Sequence, residues 1–298
     1  MTTGTKNIDK VAIVGGTHGN EFSGIYLLRK WQQQTADITR GSFTTQTVFA
    51  NPQAFDANKR YLDCDMNRQF GVADLANPDL ANYEQSRAKA INAQLGPKGE
   101  AKTDFIIDLH NTTSNMGPSL ILLQQDSFNR QLGAYVKAKM PEAVIVLEDE
   151  VSVTEHHFLC SIADQGVIVE VGPQPQSVIR QDVLDWMDTM TGHILDFVDL
   201  HNRNAVPVLP ATFDAYKYHE TLKLPEDENG ERIGMVHRNV QDADFTVLRH
   251  GDPIFTLFDG SVITWDGDYE AYPHFINEAA YYDNNLAMSL AKKVTVTV

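Results

Sequence analysis

The amino-acid sequence predicts an α/β fold, and three observations support that prediction. Short, mostly apolar runs at residues 11–14, 105–110 and 167–171 have the composition of strands that are buried on both faces of a sheet. Segments between such runs repeat apolar residues at the spacing of amphipathic helices. Two prolines in residues 202–210 break this pattern, and short apolar runs with glycine turns follow. The 298 residues are enough for one large domain or two ordinary ones.

The predicted elements alternate along the first two thirds of the chain. A strand at residues 11–14 is followed, after a glycine loop, by a helix at residues 22–31 with apolar positions such as Ile25, Leu28 and Trp31. The remaining predictions for this part are strands at residues 105–110, 120–123, 144–147 and 167–171 and helices at residues 81–95 and 181–201.

The proline-containing segment indicates a domain boundary. We therefore predict one domain over residues 1–205 and a second over residues 206–298. Hairpin-type turn sequences at Asn229-Gly230, Asp259-Gly260 and Asp266-Gly267 predict that the second domain is rich in β-structure. We also expect a helix near residues 277–290 and a closing strand in the alternating residues 294–298.

Charge and composition exclude several classes of function. The net charge of −16 argues against nucleic acid as a partner, because proteins that bind phosphates usually need a basic surface. No apolar run approaches the roughly 18 residues of a membrane span. The first residues lack the basic start and apolar block of a signal peptide, so we expect a cytoplasmic enzyme. The two cysteines, Cys64 and Cys160, are expected to be free thiols.

Four chemically suitable side chains follow or end predicted strands. His18 and Glu21 lie in the glycine loop after the first strand, and His110 and Glu170 lie near the ends of two later strands. Open α/β sheets bind ligands beyond these strand ends, and imidazole and carboxylate groups are good zinc ligands. We expect His18, Glu21 and His110 to bind zinc, with Glu170 as general base for amide hydrolysis. Arg60 is a candidate cation for the developing oxyanion.

Simpler interpretations of these residues remain open at this stage. The glycine loop lacks the sequence of a phosphate-binding loop, although His18 alone could equally have a structural role. Glu170 could be a charge at a sheet edge, and Asp108 either orients an imidazole or caps a helix. Cys64 is interpreted as a small apolar residue rather than a nucleophile. The other histidines are interpreted as structural: His156, His157, His193, His201, His219, His237, His250 and His274.

Five longer strings stand in order between about residues 10 and 290. They are Gly15-Gly-Thr-His-Gly-Asn-Glu21, Arg60-Tyr-Leu-Asp-Cys-Asp-Met-Asn-Arg68, Asp108-Leu-His-Asn-Thr-Thr-Ser-Asn-Met116, Glu170-Val-Gly-Pro-Gln-Pro-Gln176 and Asn277-Glu-Ala-Ala-Tyr-Tyr282. In sequence and spacing they closely resemble the aspartoacylase and aminoacylase-3 family, which is related to succinylglutamate desuccinylase. The resemblance implies a zinc carboxypeptidase-like α/β/α domain with a central mixed sheet, followed by a smaller β-rich domain that narrows the active-site channel.

The resemblance also assigns roles to individual residues. It implies one zinc ion per subunit at His18, Glu21 and His110, Glu170 as general base, and Arg60 at the carbonyl oxygen. It further implies a substrate carboxylate held by Asn67, Arg68 and Tyr281, a site lined by Asn111, and possible homodimers. The fork of a guanidinium group suits a carboxylate, which fits the role of Arg68.

The sequence departs from the family at the substrate side chain. Animal aspartoacylases carry an arginine ten residues before the general base, where this sequence has Cys160, and lysines where it has Asn284 and Asn285. The leading hypothesis is hydrolysis of N-acetyl-L-aspartate to acetate and L-aspartate. The alternative is an aminoacylase that prefers N-acetylated neutral or aromatic amino acids, and a more remote one is a non-catalytic protein that binds zinc or a ligand.

Overall fold

A nine-stranded mixed sheet forms the centre of the molecule, and later residues build a separate three-stranded antiparallel sheet. The computed structural model describes residues 7–298. The strands in this range are β1 Lys10–Gly15, β2 Thr44–Phe49, β3 Phe105–Asn111, β4 Gly117–Leu122, β5 Val144–Leu147, β6 Gln165–Gly172, β7 Thr212–Lys223, β8 Gly234–Val236, β9 Pro253–Leu257, β10 Val262–Thr264, β11 Tyr272–His274 and β12 Leu286–Thr297. The α-helices are α1 Phe22–Gln33, α2 Pro52–Asp56, α3 Val72–Ala76, α4 Tyr83–Leu95, α5 Ser127–Lys139 and α6 Gln181–Asn202.

The topology of the large sheet brings three strand ends together. Its strand order is β11-β12-β7-β5-β4-β6-β3-β1-β2. Strands β2, β1, β3 and β6 are parallel, whereas β4 is antiparallel to β6 and parallel to β5. Because β6, β3 and β1 are adjacent and parallel, their carboxyl ends meet at one edge, where open α/β sheets bind ligands.

Helices cover both faces of the large sheet. Along β1, Val11 and Ile13 belong to one buried apolar cluster, and Ala12 and Val14 belong to another, as the two-residue period of a strand requires. The first cluster includes the apolar residues of α1, α5 and α6, and the second includes those of α4. The fold is therefore α/β/α around a mixed sheet, and the predicted fold class is confirmed.

Most of the predicted elements in the first 205 residues are present. Strands β1, β3, β4, β5 and β6 and helices α1, α4 and α6 lie at the predicted positions, with ends that shift by a few residues. Strand β2 was not predicted, because only Val48 and Phe49 of its six residues are apolar. No buried-strand pattern therefore marks it in the sequence.

The prediction of a helix near residues 277–290 is wrong. Residues Ala279–Asn284 form a short 3₁₀ helix, which ends at Asn285 in the left-handed region with φ of 54°. The chain then continues as β12, which pairs antiparallel with β7 over most of its length. Asparagine tolerates the left-handed conformation, and the apolar residues after it are buried by strand pairing rather than by a helix face.

The last third of the chain is rich in β-structure, as expected. Strands β7 and β12 join the large sheet, while β8, β9 and β10 form the small antiparallel sheet. A third apolar cluster, which includes Leu224, Val236 and Trp265, is buried in this part of the molecule. The division at residues 205 and 206 falls in the segment between α6 and β7 and stays a prediction. None of the described helices combines the length and apolar character needed to cross a lipid bilayer.

Candidate metal and catalytic site

The loop between β1 and α1 holds His18 and Glu21 in a fixed conformation. Gly16 adopts a φ of 72°, which a side chain would disfavour. A Cβ atom on Gly19 would lie 2.2 Å from the backbone carbon of Ala54, so this position has no room for a side chain. Glu21 precedes the first residue of α1 but does not cap the helix. Its carboxylate is therefore available to other groups.

His18, Glu21 and His110 form a buried cluster of potential metal ligands. The Nδ1 atom of His18 lies 2.7 Å from Oε1 of Glu21, and Nδ1 of His110 lies 2.9 Å from Oε2 of Glu21. One ligand atom from each residue lies within 4.8 Å of the other two. Two imidazole nitrogens and one carboxylate oxygen are a donor set that suits zinc. The three residues named by the sequence are thus brought together in an arrangement that can hold a metal ion.

Two further carboxylates contact the outer nitrogens of the histidine rings. Oδ1 of Asp65 lies 3.0 Å from Nε2 of His18. Oδ2 of Asp108 lies 3.0 Å from Nε2 of His110, although this contact lacks the angle of a hydrogen bond. Asp108 lies within β3 and accepts a hydrogen bond from Thr17 at 2.8 Å, so it is no helix cap. Such carboxylates fix imidazole orientation with Nδ1 turned toward a metal.

The acidic and basic groups of the cluster shift each other's pKa values because they lie close together. Burial opposes ionisation of Glu21, but the nearby His18 and His110 hold the pKa of its carboxyl well below the usual value. Burial also opposes the charged form of His110, yet Asp108 and Glu21 raise its pKa. A metal cation bound between the rings would take over the partner role of the imidazole protons.

Glu170 lies beside this cluster on the neighbouring strand. It pairs in register with His110, because β6 runs parallel to β3. Burial raises the pKa of its carboxyl well above the usual value, and Glu21 and Glu278 add to this effect, whereas His110 and Arg60 oppose it. A carboxyl group with a raised pKa is a stronger base when ionised, which suits it to general acid–base chemistry.

Arg60 connects the cluster to the cavity. Its Nη1 atom donates to Oε1 of Glu21 at 2.8 Å, and its Nη2 atom donates to Oδ2 of Asp65 at 3.1 Å. Burial opposes its charge, but the two carboxylates raise its pKa further above the ordinary value. The guanidinium is therefore a permanent cation at the wall of the cavity.

One cavity is lined by every site residue that the sequence analysis named. Its empty volume, including the open mouth, is ≈ 530 Å³. The predicted residues that line it are His18, Glu21, Arg60, Asn67, Arg68, His110, Asn111, Glu170 and Tyr281. Lining residues that were not predicted include Thr112, Glu148, Phe158, Phe275 and Glu278. The roles of the predicted residues stay predictions, but their proximity is a property of the fold.

The predicted substrate-binding residues are held by specific contacts. Asn67 accepts a hydrogen bond at 2.8 Å from the backbone nitrogen of Leu159 through Oδ1, which directs its amide nitrogen elsewhere. Asn111 accepts one from the backbone nitrogen of Ser23 at 3.2 Å. The Arg68 guanidinium lies 5.0 Å from the centre of the Phe158 ring. These contacts orient two amides and one cation around the same cavity.

Glu278 ties the last third of the chain to the loop after His110. Its Oε2 atom accepts hydrogen bonds from the backbone nitrogen of Thr113 at 2.7 Å and from the hydroxyls of Thr112 and Thr113. Its other oxygen accepts from the backbone nitrogen of Ala280 at 3.1 Å. Glu278 was not predicted as a site residue, although it lies in one of the strings that resemble the family. Its partners lie in a distant segment of the chain, so the sequence alone does not reveal them.

Cys160 does not line the cavity. Its side chain is fully buried, and burial raises the pKa of its thiol well above the usual value. His156 lies at an outer part of the channel, and the exposed His157 lies 3.3 Å from Asp74. Among the lining residues in the described part of the chain, the permanent cations are Arg60 and Arg68.

The buried histidine–glutamate–histidine cluster and the α/β/α fold define a candidate metallohydrolase. Residues 7–198 match the succinylglutamate desuccinylase/aspartoacylase catalytic domain, and residues 211–293 match the AstE/AspA barrel-sandwich hybrid domain. The chain belongs to the succinylglutamate desuccinylase/aspartoacylase family, which confirms the resemblance inferred from the five strings.

Similar proteins in this family carry two kinds of name. A probable aspartoacylase of Trichodesmium erythraeum is 42% identical, with 98% of this chain and 100% of the relative covered. The aspartoacylase of Xenopus tropicalis is 42% identical, with 97% and 94% covered. The N-acyl-aromatic-L-amino acid amidohydrolase (carboxylate-forming) of Rattus norvegicus is 41% identical, with 98% and 93% covered.

Solved structures support the same fold. The crystal structure of murine aminoacylase 3 matches with a TM-score of 0.91 and 42% identity, covering 99% of this chain and 98% of that one. A succinylglutamate desuccinylase from Vibrio parahaemolyticus matches with a TM-score of 0.65 at 16% identity, covering 98% and 83%. The second match supports the fold alone.

Proposed function

We propose that the protein is a zinc-dependent amidohydrolase that removes the acyl group from N-acyl-L-amino acids. The observation that carries this proposal is the buried cluster of His18, Glu21 and His110 with Glu170 beside it on the adjacent strand. The names of the similar aspartoacylases and amidohydrolases support the reaction class.

Zinc fits the cluster, and we assign His18, Glu21 and His110 as the residues that would hold one ion per subunit. The fit rests on the donor set and its burial. Both Nδ1 atoms face Glu21, while Asp65 and Asp108 lie 3.0 Å from the Nε2 atoms of the two rings. Zinc, when bound, polarises a carbonyl group and lowers the pKa of water toward about 7.

Side chains of the protein transfer the protons and bind the substrate. Glu170 takes a proton from the attacking water and delivers it to the leaving amine, which its raised pKa favours. Arg60 places a permanent positive charge where the carbonyl oxygen becomes an oxyanion. Arg68, Asn67 and Tyr281 bind the α-carboxylate, and Asn111 lines the site beside them.

Two classes of amino acid are candidates for the substrate. N-acetyl-L-aspartate is the first, because many of the similar proteins are named aspartoacylase. A neutral or aromatic N-acetyl amino acid is the second. The position of Cys160 away from the cavity favours this second class, because a second carboxylate on the substrate finds no arginine there. The name of the rat relative agrees with it.

A comparison of substrates tests this proposal directly. The zinc-loaded protein should release the free amino acid from N-acetyl-L-aspartate, N-acetyl-L-tyrosine or N-acetyl-L-leucine, and the ratios of kcat/KM assign the class. A larger kcat/KM for the neutral compounds would exclude aspartate as the preferred side chain. If zinc binds but none of the compounds is hydrolysed, the remaining alternative, a non-catalytic ligand-binding protein, gains support.

We also propose a compartment and an assembly for the protein. Cys64 and Cys160 are free thiols, which agrees with the reducing cytoplasm. We also propose a homodimer with a small-molecule substrate and no nucleic-acid partner. Size-exclusion chromatography with light scattering tests the assembly.

A further inference from the structure

Glu148 is an acidic residue of the cavity for which the proposed mechanism has no use. It directly follows β5 and lines both the inner cavity, which contains Glu170, and an outer chamber that opens from it. Four further residues line both spaces, so the two adjoin each other: Arg68, Phe158, Phe275 and Tyr281. Glu148 therefore stands where a group on the substrate passes from the inner cavity toward the outer chamber.

Glu148 lines the same cavity as Arg68, which is proposed to bind the amino-acid part of the substrate. The charged groups that act on its carboxyl are Arg68, which attracts it, and Glu150, which repels it. The metal-ligand cluster is not among these influences. Because Arg68 is proposed to bind the α-carboxylate, a group beside Arg68 faces the substituents of the same α-carbon. The side chain of the substrate projects from that carbon.

Glu148 also has unused hydrogen-bonding capacity. Its backbone nitrogen donates to Leu122 at 2.9 Å, but no hydrogen bond from another described residue contributes to the pKa of its carboxyl. The carboxyl group is partly buried, and without such partners it is free to form hydrogen bonds with a ligand in the cavity. Cys160, on the neighbouring 3₁₀ helix, feels the charge of Glu148 but offers no cation to neutralise it.

We propose that Glu148 is a specificity-determining residue that contacts the side chain of the N-acyl amino acid. In its protonated form it donates a hydrogen bond to a carboxylate side chain, and in its ionised form it rejects that carboxylate and accepts from an amide, hydroxyl or ammonium group. This inference rests on the proposed function and adds a residue that discriminates between substrate classes.

The protonation of Glu148 changes in a useful pH range. Burial raises the pKa of its carboxyl to about 7, with Glu150 adding to the increase and Arg68 opposing it. The adjacent His156 has a lowered pKa, mainly because of burial, and the partly buried Tyr281 has a raised pKa, mainly because of desolvation. Both shifts favour the neutral forms of these two groups. Glu148 is protonated below about pH 7 and ionised above it.

An isosteric pair of substrates tests the inference. N-acetyl-L-asparagine and N-acetyl-L-aspartate differ in charge but hardly in shape, and the carboxylate of the aspartate side chain is ionised throughout pH 6 to 8. For the zinc-loaded full-length protein, the ratio of kcat/KM for asparagine to that for aspartate should rise about tenfold from pH 6 to pH 8. Ionisations of Glu170 and of the metal site affect both substrates and cancel in the ratio.

The variant Glu148→Gln should make this ratio independent of pH, because an amide donates and accepts at any pH in this range. Glu142→Gln is the matched control, since it removes the same charge from an exposed position near β5 and should keep the rise. A ratio that changes equally with pH in Glu148→Gln and in the parent would overturn the proposal.

Failure of the proposed function is distinguishable from failure of this inference. If the zinc-loaded protein hydrolyses no N-acyl amino acid, calorimetric binding of the same two compounds at pH 6 and 8 replaces the rates. A pH-dependent preference that Glu148→Gln abolishes still supports the role of Glu148 in that case. Equal binding of both compounds at both pH values, or no binding of either, overturns it.

Discussion

The carboxylate of Glu278 accepts a hydrogen bond at 2.7 Å from the backbone nitrogen of Thr113, across 165 residues of sequence. Thr113 lies three residues after His110, and Glu278 lies three residues before Tyr281. This contact therefore joins the segment that carries a proposed metal ligand, His110, to the segment that carries Tyr281, which is proposed to bind the substrate. The geometry of the site depends on the last third of the chain as well as on the large sheet.

Replacement of Glu278 should disturb both activity and stability. Glu278→Ala leaves the backbone nitrogen and the hydroxyl of Thr113 without their acceptor, and an unsatisfied buried donor costs about 1–3 kcal/mol. We expect a lower free energy of unfolding in urea, together with a lower kcat/KM. Glu278→Gln keeps one carbonyl acceptor and should be affected less. Equal unfolding midpoints for Glu278→Ala and the parent would contradict this role.

Asp65 should affect metal affinity rather than the number of ligands. Asp65→Asn weakens the contact that orients the His18 ring, and changes of this kind typically reduce metal affinity about 10–100-fold. Competition with a chromogenic chelator measures the zinc dissociation constant. Asp79→Asn, at an exposed position outside the cavity, is the control and should leave that constant unchanged. A dissociation constant for Asp65→Asn equal to that of the control is the outcome that rejects the assignment.

Tyr281 should act in substrate binding. Tyr281 lines the cavity with Arg68, and under the proposed role Tyr281→Phe removes one hydrogen bond to the α-carboxylate. A hydrogen bond to a charged group contributes about 1.5–3 kcal/mol, so we expect KM to rise by about tenfold or more while kcat changes less. The adjacent Tyr282 donates to Asn277 and does not line the cavity. Steady-state kinetics in which Tyr281→Phe and Tyr282→Phe raise KM equally would count against this role.

Asp244 should make the stability of the protein depend on pH, independently of the candidate metal site. Burial raises the pKa of its carboxyl to about 7, although the backbone nitrogen of Ile276 donates to it. A raised pKa means that the folded state binds the proton more tightly than the unfolded chain. The resulting stability is full below about pH 4 and is lost as pH rises through 7.

The variant Asp244→Asn should remove this loss. At pH 8 we expect it to be more stable than the parent by roughly 1–3 kcal/mol, with a clearly smaller difference at pH 5. Urea unfolding of both proteins at the two pH values measures the effect. A parent that is as stable at pH 8 as its asparagine variant would show that the carboxyl ionises in the folded protein without cost.

Sequence periodicity predicted the part of the fold that is buried in regular layers. Strands β3 and β6 are mostly apolar runs, and α6 repeats apolar residues on one face, so the sequence of each indicates that it is buried. The segment after residue 277 could not be predicted in this way. Its apolar residues are buried by pairing with β7, a strand about 70 residues away in sequence. The local spacing of apolar residues does not reveal such long-range pairing.

The residues of the candidate site also fall into two groups, those that local patterns identified and those that they missed. His18 and Glu21 share one loop, and His110 and Glu170 each end a recognisable strand, so local patterns were sufficient to name them. Asp65, Glu148 and Glu278 were missed because an isolated acidic residue has the same appearance in sequence whether it is exposed or buried. Their partners, His18, Arg68 and Thr113, come from other elements and become evident only in the folded chain.

The most direct test of the central proposal is the rate of N-acyl amino acid hydrolysis as zinc is added to metal-free protein. We expect no hydrolysis without metal and a rate that rises to a plateau at one zinc ion per chain. Glu170→Gln should bind the same single ion yet turn over at least about 100-fold more slowly. A rate that does not depend on added zinc, or full activity of Glu170→Gln, would contradict the account.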